Sequence, residues 1–402
     1  MSGELLIMIR GENIMIKTDI EKCTGCGACV QCCPQHCIDW NEGKLGFRYP
    51  EIDETMCVKC GRCESVCPIY TQLRTPQNQK AYAAVHIDAG VLNKSTSGGA
   101  FTALAEYVLN RRGRVFGCAM DQEFQVKHIC IENSDELSKL RGSKYVQSDI
   151  NTTYSQAKRY LENGEMVLFS GTPCQIAGLY GYLGKEYTNL ITVDIVCHGV
   201  GSQRYFDKYL YYAEKKYGEL KELRFRDKEA SGWSCGNGIV ICSNGKKRPY
   251  RDCDNYYYWY FTQGDIFRQS CYSCKYANSL RQGDFTLGDF WGIEALGIKI
   301  DAGKGCSLLL SNTEKADDII QKLKNINIVQ VDLEDAIKKN AQLLHPTEKS
   351  LIRNLLEEQY EKMDADDIQN YFVKSNRKTI FKGWIKSMVP YSIRVLVRKF
   401  RK

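Results

Sequence analysis

Two short segments of this 402-residue chain read Cys-x2-Cys-x2-Cys-x3-Cys-Pro. The first is Cys23, Cys26, Cys29, Cys33 and Pro34; the second is Cys57, Cys60, Cys63, Cys67 and Pro68. Ten of the 20 cysteines fall between Cys23 and Cys67. A chain that crowds thiols in this way either pairs them as disulfides or closes them around metal. Residues 1–17 carry no basic n-region and no small-residue cleavage site, so the sequence reads as unexported, with metal in a reducing cytosol. The two runs are 34 residues apart, the tetratricopeptide period. Two copies without the helical-repeat residues do not make a solenoid, so what repeats is a ligand set.

Three cysteines two residues apart on one tight loop suit three irons of a cubane cluster, and the fourth thiolate must come from elsewhere. In two-cluster ferredoxins the cysteine before proline serves the other cluster. The expected sets are therefore Cys23, Cys26, Cys29 and Cys67 for one 4Fe–4S cluster, and Cys57, Cys60, Cys63 and Cys33 for the second. Cys32 and Cys37 are left over, as packed thiols beside the clusters. Zinc is the competing reading, but zinc sites use Cys-x2-Cys pairs set further apart. Residues 16–70 resemble a bacterial-type two-cluster ferredoxin.

The rest of the chain has the length for a sizeable core. At 43% apolar and 26% charged it is ordinary for a globular protein. The net charge of +7 is concentrated in residues 374–402, which hold ten Lys or Arg and no Asp or Glu. The remainder is slightly acidic, so the basic balance does not indicate nucleic acid. Residues 71–80 read as a linker. Strands are expected at 81–87, 114–120, 126–132, 165–169, 190–197 and 307–311, and helices at 97–111, 134–140, 152–163, 172–183, 202–217 and 315–324. Such alternation predicts an α/β body. Asn244-Gly245 marks a hairpin between 238–243 and 246–251.

Several joints in this body carry chemistry. Ser97-Gly98-Gly99 opens a helix, as a cap or an anion cradle. Thr172-Pro173-Cys174 puts a thiol in a helix's first turn, where nucleophile, metal ligand and buried thiol all stay open. Cys197-His198-Gly199 ends a strand, and Cys271 and Cys274 form a Cys-x2-Cys pair. Because ligand sites in α/β sheets collect at the carboxyl edge, Cys174, Cys197, Cys271 and Cys274 are a candidate four-thiolate site. Cys118, Cys130, Cys235, Cys242, Cys253 and Cys306 share no spacing. The Tyr256–Tyr260 aromatic run suits core packing more than a planar substrate.

These motifs, with Gly171-Thr172-Pro173-Cys174-Gln175 and Gly288-Asp289-Phe290-Trp291-Gly292, resemble the coenzyme F-420 hydrogenase/dehydrogenase beta-subunit family over about residues 80–345. The resemblance implies iron–sulfur flavoprotein chemistry, with FAD near a third 4Fe–4S cluster. It sets Ser97, Gly98, Gly99, Ser143 and Lys144 on the FAD, and Thr172 and His198 between flavin and cluster. His198 is the candidate proton donor, with Lys144 and Tyr145 as further catalytic candidates. The expected fold is an α+β ferredoxin-like module (1–70), a linker (71–80), an α/β flavin-binding body (81–165 and 166–345) and a helical tail (346–402), basic and amphipathic from 374.

The functional expectation is an oxidoreductase passing electrons from its clusters through FAD to an organic acceptor, in polysaccharide or other biosynthesis. The alternative is the electron-transfer beta subunit of a hydrogenase or dehydrogenase complex. The expected partner is a ferredoxin or another redox protein, and an oligomer is the expected alternative assembly. The expected location is cytoplasmic. In the tail, Trp384, Ile385, Met388 and Val389 share one helical face, and Ile393, Leu396, Val397 and Phe400 another. Basic residues fill the rest, so the tail suits either an anionic membrane surface or a packed helix. No apolar run of ~18 residues occurs, so nothing in the sequence spans a bilayer.

Overall fold

The computed structural model describes residues 18–76, 78–233 and 237–388. An eight-stranded sheet organises the body. Its strand order is Ile326–Val331, Lys80–His86, Ser307–Ser311, Phe285–Asp289, Leu190–Ile195, Val167–Gly171, Arg114–Met120 and Val126–Ile131. The four strands from Phe285–Asp289 to Arg114–Met120 run parallel, and antiparallel strands flank them on both sides. The result is a mixed α/β architecture. Strand Val167–Gly171, at the middle of the parallel run, is buried along its whole length because helices cover both faces.

Helices Ala100–Leu109, Thr153–Glu162, Pro173–Leu183 and Gln203–Tyr217 form where the apolar spacing predicts them. Pro173 sits in the first turn, where its missing N–H costs nothing, and Gly184 ends that helix with φ +68°. The hairpin at Asn244-Gly245 joins Asn237–Cys242 to Lys247–Arg251, and Leu220–Arg224 completes that three-stranded sheet. In the body, three strands lie outside the sequence expectation: Leu220–Arg224, Phe285–Asp289 and the edge strand Ile326–Val331.

Residues 18–70 form a small unit with two short helices, Ala28–Cys32 and Arg62–Ser65, and one hairpin, Ile38–Glu42 with Arg48–Ile52. It packs on helix Pro173–Leu183. A Cβ at Gly178 would lie 2.9 Å from Cys26 Sγ, and one at Gly181 would lie 2.2 Å from the Val66 carbonyl. Glycine at both positions lets the cysteine-bearing loops seat directly on the helix.

A second core is built from aromatic rings. Tyr256, Tyr257, Tyr258 and Tyr260 are buried with Tyr205, Phe206 and Tyr209. The Tyr256–Tyr260 run is therefore core. Helices Arg353–Lys362 and Ala365–Ser375 contribute Leu356, Ile368 and Phe372 to the same core, so this part of the expected tail is a layer of the body. The last helix, Arg377–Met388, leaves Phe381, Trp384 and Ile385 exposed, while a Cβ at Gly383 would lie 2.7 Å from Cys253 Sγ. The apolar face from Val389 to Phe400 lies outside the described residues. Among the described residues no helix is long and apolar enough to cross a membrane.

Candidate iron–sulfur sites

Three cavities are lined by cysteines. Cys23, Cys26, Cys29 and Cys67 surround the first, of about 420 Å³ with its mouth included. Cys33, Cys57, Cys60 and Cys63 surround the second, of about 330 Å³, together with Cys37. Cys174, Cys197, Cys271 and Cys274 surround the third, of about 540 Å³. The structure thus brings together each of the three expected sets. The first two arise because each Cys-Pro lies across from the other loop's cysteine triplet. Gly27 and Gly61 turn these loops with φ near +70° before each short helix.

The third set is assembled from distant segments. Cys174 follows strand Val167–Gly171 and Cys197 follows Leu190–Ile195, so both stand at the carboxyl edge of adjacent parallel strands. Cys271 and Cys274 come from the loop that leads to Phe285–Asp289. Arg281 fixes that loop: it pairs with Asp194 at 2.8 Å, both side chains essentially inaccessible, and donates to the carbonyls of Tyr276, Asn278 and Ile195. Asp194 also accepts from the amides of Gln282 and Gly283. A buried ion pair holds only when its remaining donors and acceptors are met, as they are here.

The donor set fits iron–sulfur clusters. Burial pushes the Cys26, Cys174 and Cys271 thiols up to about 12, and Cys197 well above its usual range, with neighbouring thiols adding to the shift. Thiolates at such positions need a cation to hold them, and thiolate is the ligand that cubane clusters take. A tetrahedral zinc at ~2.3 Å from each sulfur would draw its ligands into mutual contact. In this structure the thiols of each set line one cavity.

The first and third cavities are joined by residues that the sequence reading did not single out. Thr24 lines both. Arg268, about 1% exposed, donates to the Cys23 carbonyl at 2.7 Å and the Arg48 carbonyl at 2.9 Å, and its guanidinium lies 3.6 Å from Cys23 Sγ. Gln147 accepts from it, and the Tyr49 ring faces it at 4.2 Å. Ser270, one residue before Cys271, also donates to the Cys23 carbonyl. On the other side Lys275, next to Cys274, donates to the carbonyls of Pro68 and Thr71.

The remaining candidates fall into two places. Thr172 Oγ1 lies 3.1 Å from Cys174 Sγ, and His198 lines the third cavity with its imidazole held below its usual range by burial. Beyond His198, Asp289 accepts from Arg226 at 2.6 Å and from Trp233 Nε1 at 2.7 Å, and Trp233 stacks on Trp291 at 5.2 Å. The residues expected on FAD are elsewhere and are engaged within the protein. Ser97 donates to the Cys306 carbonyl and accepts from Lys228, and the Gly98 amide donates to Ser307 while its carbonyl accepts from the His86 amide. A Cβ at Gly98 would lie 2.1 Å from the Ala84 carbonyl, so this glycine answers to strand packing. Lys144 caps the short helix Leu137–Leu140 by donating to the carbonyls of Lys139 and Arg141. Ser143 precedes it in a half-buried irregular segment. Tyr145 stacks on Phe261 at 4.5 Å in the aromatic core.

Sequence comparisons agree with this architecture. Residues 22–70 match the 4Fe-4S dicluster domain. Residues 81–153 match the N-terminal part, and residues 164–336 the C-terminal part, of the coenzyme F420 hydrogenase/dehydrogenase beta subunit. The chain is an iron–sulfur protein, and it belongs to the coenzyme F420 hydrogenase/dehydrogenase beta-subunit family. The coenzyme F420-dependent sulfite reductase of Methanocaldococcus jannaschii is 28% identical over 165 residues, 39% of this chain and 24% of that protein. The chain thus matches about a quarter of that relative's length. A chain of the F420-reducing NiFe hydrogenase complex from Methanosarcina barkeri aligns over 76% of this chain and 94% of its own, at 17% identity and a TM-score of 0.43.

Proposed function

We propose that this chain is the electron-transfer subunit of an F420-linked oxidoreductase, carrying three 4Fe–4S clusters in the order second, first, third. The observation that carries the reading is the set of three cavities, each lined by its expected four thiols (the second by Cys37 as well), with Thr24 common to the first and third. Each cluster supplies a one-electron site. Cys33 and Cys67 each sit in the run opposite to the triplet they complete, which ties the first two sites together. Arg268 and Ser270 hold the Cys23 carbonyl, and Lys275 holds the Pro68 carbonyl, so the dicluster unit is fixed against the third site. Arg268 brings a permanent positive charge close to Cys23, which favours the electron-rich form of the first site.

The reading of a stand-alone flavin reductase gives way to the subunit reading on two grounds. The family and the sulfite reductase relative are F420-linked, and the Ser97 hydroxyl, the Gly98 amide and the Lys144 ammonium are bonded within the protein. Because F420 exchanges a hydride and each cluster a single electron, the path needs a flavin between them as the two-electron/one-electron converter; this proposal does not assign it to Ser97, Gly98 or Lys144, and it gives polysaccharide biosynthesis no part. The exit side of the path is the face beside His198, where the Trp233–Trp291 pair, Arg226 and Asp289 provide flat apolar surface with a fixed charge pair. His198 is positioned to hold or pass a proton there. The partner is a second redox protein or subunit docking near one end of the file.

The test is anaerobic titration with reduced F420, followed by cluster absorbance and electron paramagnetic resonance. Bleaching of all three clusters supports the reading. Full clusters that dithionite reduces but reduced F420 does not, with or without added flavin, contradict the F420 link.

A further inference from the structure

The second cavity holds one thiol too many. Cys37 Sγ lies 3.4 Å from Cys33 Sγ, and both line the void with Cys57, Cys60 and Cys63. The contact is a hydrogen bond between thiols, well beyond the ~2.05 Å of a disulfide. Cys33 is about 8% exposed and Cys37 about 4%. The loop is built to hold the two sulfurs side by side. The His36 amide donates to the Cys33 carbonyl, closing a tight turn, and the Asp53 amide donates to the Cys37 carbonyl, tying its end to the hairpin. The first cavity has no such arrangement: its lining cysteines are the expected four.

We infer that Cys33 and Cys37 are interchangeable donors for the fourth corner of the second cluster, so that this site has five usable thiols and the first has four. Either thiol would hold the fourth iron as its thiolate, and the one not bound would carry the proton, shared across the existing sulfur–sulfur contact. No electron is gained or lost and no other reactant enters. The inference rests on the cluster reading proposed above. Its consequence is a cluster that keeps its iron when either thiol is damaged or removed.

The test uses the full chain, purified without oxygen, as Cys33→Ala, Cys37→Ala, the double variant and Cys67→Ala. Iron, labile sulfide and the spectrum of the reduced protein are measured for each. Both Cys33→Ala and Cys37→Ala should keep the wild-type iron content, with Cys33→Ala showing a shifted signal from the second cluster. The double variant and Cys67→Ala should each lose about a third of the iron, one cubane of three. If Cys33→Ala loses as much iron as the double variant, or fails to accumulate while Cys37→Ala does not, the inference is overturned. Wild-type protein with no iron–sulfur signal would instead overturn the cluster reading itself.

Discussion

The dicluster unit and the third site hold the same kind of ligand in opposite ways. In residues 18–70 the cysteines come from two local runs on loops flanking helices of five and four residues and one hairpin. The third site draws Cys174, Cys197, Cys271 and Cys274 from three places along about 100 residues, on the edge of an eight-stranded sheet. Helices so short and a lone two-stranded hairpin are not stable by themselves. The N-terminal unit is therefore expected to lean on its metal as well as on its seat against the body, whereas the loop of Cys271 and Cys274 is braced by the buried Arg281–Asp194 pair.

The largest expected effect breaks the comparison at its strongest point. Stripping iron with chelator should expose residues 18–70 to protease while the body from about residue 80 stays resistant. Equal resistance of both regions would mean that the unit folds without metal. The next effect belongs to the body. Arg281→Leu leaves Asp194 buried and unpaired, at a cost of about 3–5 kcal/mol. Its melting temperature should fall and the third cluster should be lost, with the first two retained. Cys174→Ser should then remove about a third of the iron without a comparable loss of stability, because the sheet edge stands without the ligand; unchanged iron would refute the third set. The smallest effect lies at the seam. Gly178→Ala presses a methyl group on Cys26 and should cost about 1–3 kcal/mol as overpacking, read as faster iron loss from the first cluster alone.

The two regions also differ in how far the sequence discloses them. The N-terminal sets are legible because spacing along the chain is the geometry: a triplet on one loop and a cysteine before proline leave few ways to close. For Cys174, Cys197, Cys271 and Cys274 the spacing is uninformative, and only their places after strands, with the family resemblance, bring them together. Strand Phe285–Asp289 was hidden because Gly288-Asp289 reads as a loop motif, yet Phe285 and Leu287 face the core in alternation. The edge strand Ile326–Val331 did carry period-two pairs, Ile326 with Ile328 and Val329 with Val331, but its short run follows polar residues that read as a helix end. Arg268 and Lys275 had no signal at all. An arginine becomes a link between two sites only when the fold buries it, and nothing adjacent in the chain reports that burial. Ser97, Gly98 and Lys144 show the reverse: a helix-start pattern suggestive of an anion is satisfied here by strand carbonyls, Ser307 and a helix end.

The central claim is that three rings of thiols hold three clusters. Mössbauer spectroscopy of anaerobically purified, iron-57-enriched protein, with iron and sulfide counted per chain, tests it most directly. The account predicts about 12 irons and about 12 sulfides, all in cubane signals. Zinc in their place, or about eight irons with the Cys174 ring left without metal, would contradict it.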